Sequence, residues 1–140
     1  MLAPKKTKYR KWQTGRRRGA RRVAPETRGI AVAFGSFGLK AMSQARITSN
    51  QIESARRALT RSAGKSAKIW VRIFPDRPFT RKPAEVRMGS GKGDLAGYVI
   101  DVRPGRILFE VDGAPEAAAR EALRKAGTKL PVKVRIVTRQ

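Results

Sequence analysis

The residues best suited to chemistry in this chain are a run of glycines with one lysine, Gly89-Ser90-Gly91-Lys92-Gly93. Backbone N–H groups in such a run, with a lysine beside them, can bind phosphate oxygens. The nucleotide-binding form of this loop needs a glycine, four residues and then Gly-Lys followed by Ser or Thr, placed between a strand and a helix. Here Lys92 is followed by Gly93 and Asp94, and the next run alternates as a strand does. The spacing therefore argues against a nucleotide site.

Four acidic residues are the other candidates for catalysis: Glu110, Asp112, Glu116 and Glu121. They fall near predicted turns and on a predicted exposed helix face, with no nucleophile or set of metal ligands beside them. The chain has no histidine and no cysteine, so the commonest general base, the commonest zinc ligand and all thiol chemistry are missing. Surface charge is the favoured interpretation of the acids, and we expect no enzyme activity, no cofactor and no metal.

The charge of the chain points to a polyanionic partner. Its 33 Lys and Arg against 10 Asp and Glu give a formal net charge of +23, and this self-repulsion opposes compaction unless a polyanion is present. A nucleic acid is the favoured partner. No membrane association is expected, because no stretch approaches the roughly 18 apolar residues of a spanning helix. The absence of cysteine fits a reducing compartment.

Residues 1–28 are predicted to be a basic N-terminal extension. They contain eleven Lys or Arg and a single acid, Glu26, so the extension should be disordered when free in solution. Tyr9 and Trp12 lie among the charges, and two interpretations stay open for them. Their rings could stack on bases while neighbouring cations bind phosphates, or they could anchor the extension on the domain.

The elements that would position these groups begin with a strand over Gly29–Leu39, interrupted by a turn at Gly35 and Gly38. Gly35-Ser36-Phe37-Gly38 resembles the clamp loop of a KH domain, but the match is short, and a structural turn is favoured. A helix is predicted to start near Thr48, since Thr48 and Gln51 have the spacing of a capping box.

This first helix has one buried and one basic face. Its apolar stripe is Ile52, Ala55, Leu59 and Ala63, and it ends at Gly64. Away from the stripe lie three arginines with only Glu53 to balance them: Arg56, Arg57 and Arg61. Phosphate contact is favoured for these arginines over a solvated charged face.

The rest of the chain predicts further strands and a second helix. The expected elements are a strand at Lys68–Phe74, a Gly-rich arm over about residues 79–97, a hairpin of Tyr98–Val102 with Arg106–Val111, a helix from Pro115 to Gly127 with Ala118 on its apolar side, and a strand at Leu130–Val137. The predicted class is α+β: a two-layer sandwich in which a mixed or antiparallel sheet is covered by two helices. Residues 29–140 are predicted to form a single domain.

Several segments, in order and nearly end to end, closely resemble the family of bacterial large-subunit ribosomal protein sixteen. They are Met1-Leu2-Ala3-Pro4-Lys5-Lys6-Thr7-Lys8-Tyr9-Arg10-Lys11, Gly15-Arg16, Phe34-Gly35-Ser36-Phe37-Gly38-Leu39, Gln51-Ile52-Glu53, Ala55-Arg56-Arg57-Ala58, Arg72-Ile73-Phe74-Pro75-Asp76, Lys82-Pro83, Arg87-Met88-Gly89, Gly91-Lys92-Gly93 and Lys129-Leu130-Pro131. Two departures stand out. Residues 20–29 look divergent, and Ser90 replaces a lysine that many relatives carry.

The resemblance implies a structural protein of a cytoplasmic ribosome, with an organellar ribosome as the alternative. Its implied partners are 23S rRNA and the A-site tRNA, with P-site tRNA, 5S rRNA and neighbouring large-subunit proteins as further candidates, and no homo-oligomer is expected. The implied rRNA-binding residues are Lys5, Lys6, Lys8, Tyr9, Arg10, Lys11, Trp12, Arg16, Arg17, Arg18, Arg56, Arg57 and Arg61. Those implied to contact rRNA or tRNA through the arm are Arg81, Lys82, Arg87, Met88, Gly89, Gly91, Lys92 and Gly93. The alternative, based on charge alone, is a nucleoid-type DNA-binding protein.

Overall fold

The computed structural model of the protein describes residues 2–14 and 24–139, and contains seven strands and two helices in that part of the chain. The elements are β1 (Phe37–Ala41), β2 (Ala45–Thr48), α1 (Ser49–Ala63), β3 (Lys68–Val71), β4 (Arg77–Arg81), β5 (Asp94–Val102), β6 (Ile107–Asp112), α2 (Glu116–Gly127) and β7 (Val134–Thr138). The predicted α+β class is confirmed.

The strands form two antiparallel sheets. One has the order β3-β6-β1-β7 and the other the order β2-β5-β4. The predicted hairpin of the two runs around Arg103-Pro104-Gly105 is therefore wrong, since β5 and β6 belong to different sheets. The turn itself is present: Gly105 has a φ of +103° and its N–H donates to the carbonyl of Ala41 at 2.7 Å. That bond directs the chain from one sheet to the other.

Helix α1 begins as its sequence predicts. The Thr48 side chain accepts the N–H of Gln51, and the Gln51 side chain accepts the N–H of Thr48, which closes the capping box. The apolar stripe from Ile52 to Ala63 is buried, and α1 packs on α2 above the core. In α2 it is Ala119 that is fully buried, where Ala118 was expected. The core is built from the two helices, β1 and β6, with Ile47 of β2 and Val102 of β5 buried in the same cluster.

The first strand starts later than predicted, because a buried carboxylate takes the backbone donors before it. Glu110 on β6 is fully buried, and it accepts N–H groups from Ala33 at 3.1 Å, Phe34 at 2.6 Å and Gly35 at 2.8 Å. Because these N–H groups bond to a side chain, they cannot form the backbone hydrogen bonds that pair one strand with another. Residues 29–36 therefore form no strand, and β1 begins at Phe37.

Candidate nucleic-acid interface

The glycine run lies in the loop that joins β4 to β5. These strands pair antiparallel up to Arg81 and Asp94, so the loop consists of residues 82–93. A phosphate-binding loop of a nucleotide site leads instead from a strand into a helix. At the loop's tip Gly89, Ser90 and Gly91 have φ values of +96°, +56° and +101°. Such a tip can turn sharply and bring its backbone close to a partner.

The side chains of this loop project into solvent. Met88 is 92% exposed, and nothing lies within 4 Å of the position where a Cβ would stand on Gly89 or Gly91. Arg81 and Arg87 are exposed and make no ion pair with the described residues. The Lys82 ammonium donates to the carbonyl of Gly89, which connects the start of the loop to its tip. Two arginines of the arm thus remain available to an external anion.

The N-terminal extension contacts the two-stranded ribbon of β4 and β5 from which this loop projects. The Lys92 ammonium donates to the carbonyl of Trp12, and Lys11 Nζ lies 3.7 Å from Asp94 Oδ1. The guanidinium of Arg77, on β4, lies over the Trp12 ring at 5.6 Å from its centroid. These contacts place the basic segment 2–14 beside the Gly-rich arm.

Asp101 on β5 holds Arg77 in place beneath the extension. Its carboxylate accepts hydrogen bonds from Arg77 and, at 3.0 Å, from Arg46 Nε on β2. One acid therefore connects all three strands of the smaller sheet through their side chains. Pro78 is tolerated in β4 because β4 is an edge strand of that sheet.

The arginines of α1 are partly neutralised within the helix. Arg56 makes two hydrogen bonds to Glu53, at 2.9 and 2.6 Å, and Arg57 makes one at 3.1 Å. The bond from Arg56, together with that from Arg57, lowers the pKa of Glu53 to about 2, so this acid is ionised at any physiological pH. Arg61 lies in the last turn, is exposed and makes no ion pair with the described residues. It is the arginine of α1 most available to a phosphate.

A family model described as ribosomal protein L16p/L10e matches residues 4–137. The chain belongs to the ribosomal protein L16p/L10e family. Three proteins named large ribosomal subunit protein uL16, from the O395, M66-2 and N16961 strains of Vibrio cholerae serotype O1, are each 53% identical to it over 140 residues. These alignments cover all of this chain and 98% of each relative.

Membership of the L16p/L10e family makes the chain a ribosomal protein of the large subunit, a structural component and not an enzyme. The predicted family and the predicted ribosomal location are thereby confirmed. The matches favour the ribosomal interpretation of the charge over the nucleoid alternative. In the described part of the chain, neither helix is long and apolar enough to cross a bilayer.

In this L16p/L10e protein, the structure brings residues of the extension and of the arm together, whereas other predicted RNA-binding residues do not join them. Lys11 and Trp12 contact the β4–β5 ribbon, whereas Tyr9 is 64% exposed with only Lys8 over its ring, at 5.6 Å. The contacts of Trp12, whose side chain is still 46% exposed, are those that the anchor interpretation expects. Exposed cations of the extension are Lys5, Lys6, Lys8 and Arg10. The predicted residues Arg16, Arg17 and Arg18 lie outside the described residues.

Sequence reasoning missed the acids that organise this surface. Asp94 and Asp101 hold Lys11 and Arg77, and neither was a candidate. A usable signal existed for Asp94, which is the first acid after the glycine run in a strongly basic region. Asp101 sits within an alternating strand, and nothing in the sequence alone connects it to Arg77.

The expectation that Glu110 is surface charge is wrong. Burial raises the pKa of Glu110, but hydrogen bonds from Gly35, Ala33, Phe34 and Arg72 outweigh burial, and the net pKa is lowered. The carboxylate is thus held ionised inside the fold. Its role is structural, since it fixes the turn at Gly35, where a Cβ would come within 2.7 Å of the Val111 carbonyl oxygen. The structural interpretation of the Gly35–Gly38 turn agrees with this geometry.

Proposed function

We propose that this ribosomal protein binds 23S rRNA through its N-terminal extension, its Gly-rich arm and the basic face of α1, and that the tip of the arm contacts A-site tRNA. Contacts to P-site tRNA, to 5S rRNA and to neighbouring large-subunit proteins are extensions of the same proposal. The body of the protein acts as a platform, and its effect on translation is to position RNA.

The observation that carries the proposal is the junction of extension and arm. Lys92 joins loop 82–93 to segment 2–14, and Lys11 pairs with Asp94 at the start of β5, so two basic segments distant in sequence form one surface. Each ammonium has three donors, so a lysine that makes one internal bond can still bind a phosphate. Together with Arg81 and Arg87 this surface presents cations in a spread that suits the backbone of a folded RNA.

The arm and the extension differ in how much of each is exposed to an outside partner. The glycine-rich tip of the arm carries Met88 and Arg87 into solvent, and nothing lies within 4 Å of a Cβ placed on Gly89 or Gly91. A tip of this kind gains its contacts from a partner that comes and goes, as tRNA does. The extension, attached along the ribbon, is suited to a permanent partner such as rRNA.

The test separates the two partners with the double variant Arg87→Ala with Lys92→Ala. Large subunits reconstituted with this variant should assemble almost normally, because the extension loses the bond from Lys92 but keeps the contacts of Lys11 and Trp12, and it still binds rRNA together with α1. Binding of A-site tRNA to those particles should weaken, because the arm has lost two cations. Particle yield by sedimentation and tRNA affinity by filter binding are the measurements.

The matched control removes two cations from α2, Arg120→Ala with Lys125→Ala, where the charges are paired with Glu116 and Glu121. These particles should bind tRNA normally. Normal tRNA binding by the arm variant would contradict the role of the arm. Equal loss in both variants would show an effect of net charge and not of position.

A further inference from the structure

A row of rings and cations lies on the outer side of β3, and none of its residues belongs to the extension, the arm or α1. The Phe34 and Trp70 rings are stacked, with centroids 6.1 Å apart and planes at 19°. Lys68 Nζ lies 5.3 Å from the centroid of Trp70, and the Arg72 guanidinium lies 5.0 Å from that of Phe34. We call these four residues, Lys68, Trp70, Phe34 and Arg72, the ring–cation ladder.

The ladder is held rigidly by the buried carboxylate of Glu110. That carboxylate accepts the N–H of Phe34 at 2.6 Å and pairs with the guanidinium of Arg72. Trp70 is the strand partner of Glu110, so both rings and one cation of the ladder are fixed around a single buried group. A buried charge is costly unless its hydrogen bonds are satisfied, and here those bonds also hold the Phe34 backbone and the Arg72 side chain in place.

The two ends of the ladder differ in how firmly they are fixed. Arg72 is tied to Glu110, whereas Lys68 makes no ion pair with the described residues and covers Trp70 only by a cation–π contact. The two acids closest in register, Glu110 and Asp112, are occupied by Arg72 and by the hydroxyl of Ser36. Asp112 keeps its charge, but it does not lie within ion-pair distance of Lys68. The ladder therefore presents a Lys68 ammonium that makes no ion pair with the described residues, beside a Phe34 ring that is 55% exposed.

We propose that the ring–cation ladder is a separate binding site for an unpaired nucleotide of ribosomal RNA. The base stacks on Trp70 in the place of the Lys68 ammonium, which moves to a neighbouring phosphate. Stacking on a ring while cations bind the backbone is the ordinary way that proteins bind unpaired RNA. A protein partner is less suited to the Lys68 end of the ladder, because lysine is depleted from the cores of protein–protein interfaces. This inference rests on the proposed binding of rRNA.

Fluorescence can observe the site directly, because Trp12 and Trp70 are the only tryptophans in the chain. In the Trp12→Phe variant all tryptophan emission comes from Trp70. Titration with deproteinised large-subunit rRNA should quench that emission, and a fully paired RNA duplex at the same phosphate concentration should not. Quenching should persist when Arg87 and Lys92 are also replaced by alanine, because the ladder is independent of the arm.

Affinity measurements on the otherwise unchanged chain complete the test. Trp70→Leu should weaken binding to the same rRNA by about tenfold, which corresponds to the loss of one stacked base. Phe74→Leu is the matched control, since Phe74 is 43% exposed on the same segment but outside the ladder, and it should bind as before. Circular dichroism checks that both variants fold.

Three results would overturn the inference. The first is salt-dependent binding of rRNA with no quenching of Trp70, which would leave the proposed function intact while removing the ladder from it. The second is equal quenching by duplex RNA. The third is shielding of Trp70 in assembled subunits but not by rRNA alone, which would assign the ladder to a protein partner.

Discussion

At the scale of single residues, one buried acid does more for this fold than any of the exposed ion pairs. Glu110 accepts three backbone N–H groups and pairs with Arg72, and this arrangement sets the start of β1 and the position of Phe34. Exposed pairs such as Lys11 with Asp94 contribute little stability by themselves. The importance of the Lys11–Asp94 pair is that it helps to hold segment 2–14 beside β5.

Replacing Glu110 with Gln should destabilise the fold by about 3 kcal/mol, because it leaves Arg72 and the backbone donors of the turn poorly satisfied. Chemical denaturation at neutral pH measures this difference. Folding lowers the pKa of Glu110. The ionised carboxylate therefore contributes fully to the free energy of unfolding above the pKa of glutamate in the unfolded chain, which is about 4.3, and this contribution is lost as the pH falls through the pKa in the folded protein. The difference in free energy of unfolding between the unchanged chain and the Glu110→Gln variant should therefore become smaller below about pH 4.

A gap that stays constant between pH 7 and pH 3 would contradict the role of an ionised Glu110. The variant Glu116→Gln is the control, since its acid is exposed on α2 and pairs only with Arg120. It should change stability by less than about 1 kcal/mol.

Ser90 offers a second prediction at this scale. It occupies the tip of the arm with a φ of +56°, where a lysine would add a cation next to Arg87. Ser90→Lys should tighten binding to large-subunit rRNA and should steepen the log–log dependence of affinity on salt by about 0.7 to 0.9. Ser90→Gln, of similar length and without charge, should leave the slope unchanged. Equal slopes for the lysine and glutamine variants would mean that the tip does not approach a phosphate.

At the scale of elements, the ribbon of β4 and β5 carries both the arm and the anchor for the extension. Arg77 at the start of β4 lies over Trp12, and Lys92 at the end of the loop bonds to the Trp12 carbonyl. Segment 2–14 is therefore expected to lie on the ribbon even before RNA is bound. Disorder of the free extension in solution stays a prediction.

Removal of the Trp12 ring should release the extension. In the Trp12→Ala variant, trypsin should cleave after Arg10 or Lys11 several times faster than in the unchanged chain, because access to these bonds depends on local opening. Mass spectrometry of the fragments over time gives the rate. Tyr9→Ala is the control, since the Tyr9 ring is 64% exposed and is covered by Lys8 of its own segment. Faster cleavage in both variants, or in neither, would show that Trp12 is not the anchor.

At the scale of the whole molecule, local patterns predicted both helices, but they missed the strands β2 and β4. They also predicted strands at Lys68–Phe74 and Leu130–Val137, where β3 ends at Val71 and β7 begins at Val134. The capping box at Thr48 and the stripe of α1 depend on neighbours within a few residues, so the sequence alone was enough to predict them. The division into two sheets depends on which strand pairs with β5, and alternation cannot specify a partner.

In the candidate site, too, local features could be predicted from the sequence and long-range contacts could not. The basic character of extension and arm could be read from composition. Their junction could not, because it rests on contacts such as that of Lys11 with Asp94, far apart in the chain. Glu110 was misjudged for the same reason: an acid in a strand is ordinarily exposed, and only the fold brings three N–H groups and Arg72 to it.

The most direct test of the central claim, that extension and arm form one RNA-binding surface, is a density map of the large subunit assembled with this chain and occupied by A-site tRNA. We predict that segment 2–14 lies on the β4–β5 ribbon with its lysines against rRNA phosphates, and that Arg87 lies within hydrogen-bonding distance of RNA at the arm's tip. An extension that leaves the ribbon for a distant part of the subunit, or an arm that faces open solvent beside bound tRNA, would contradict the account.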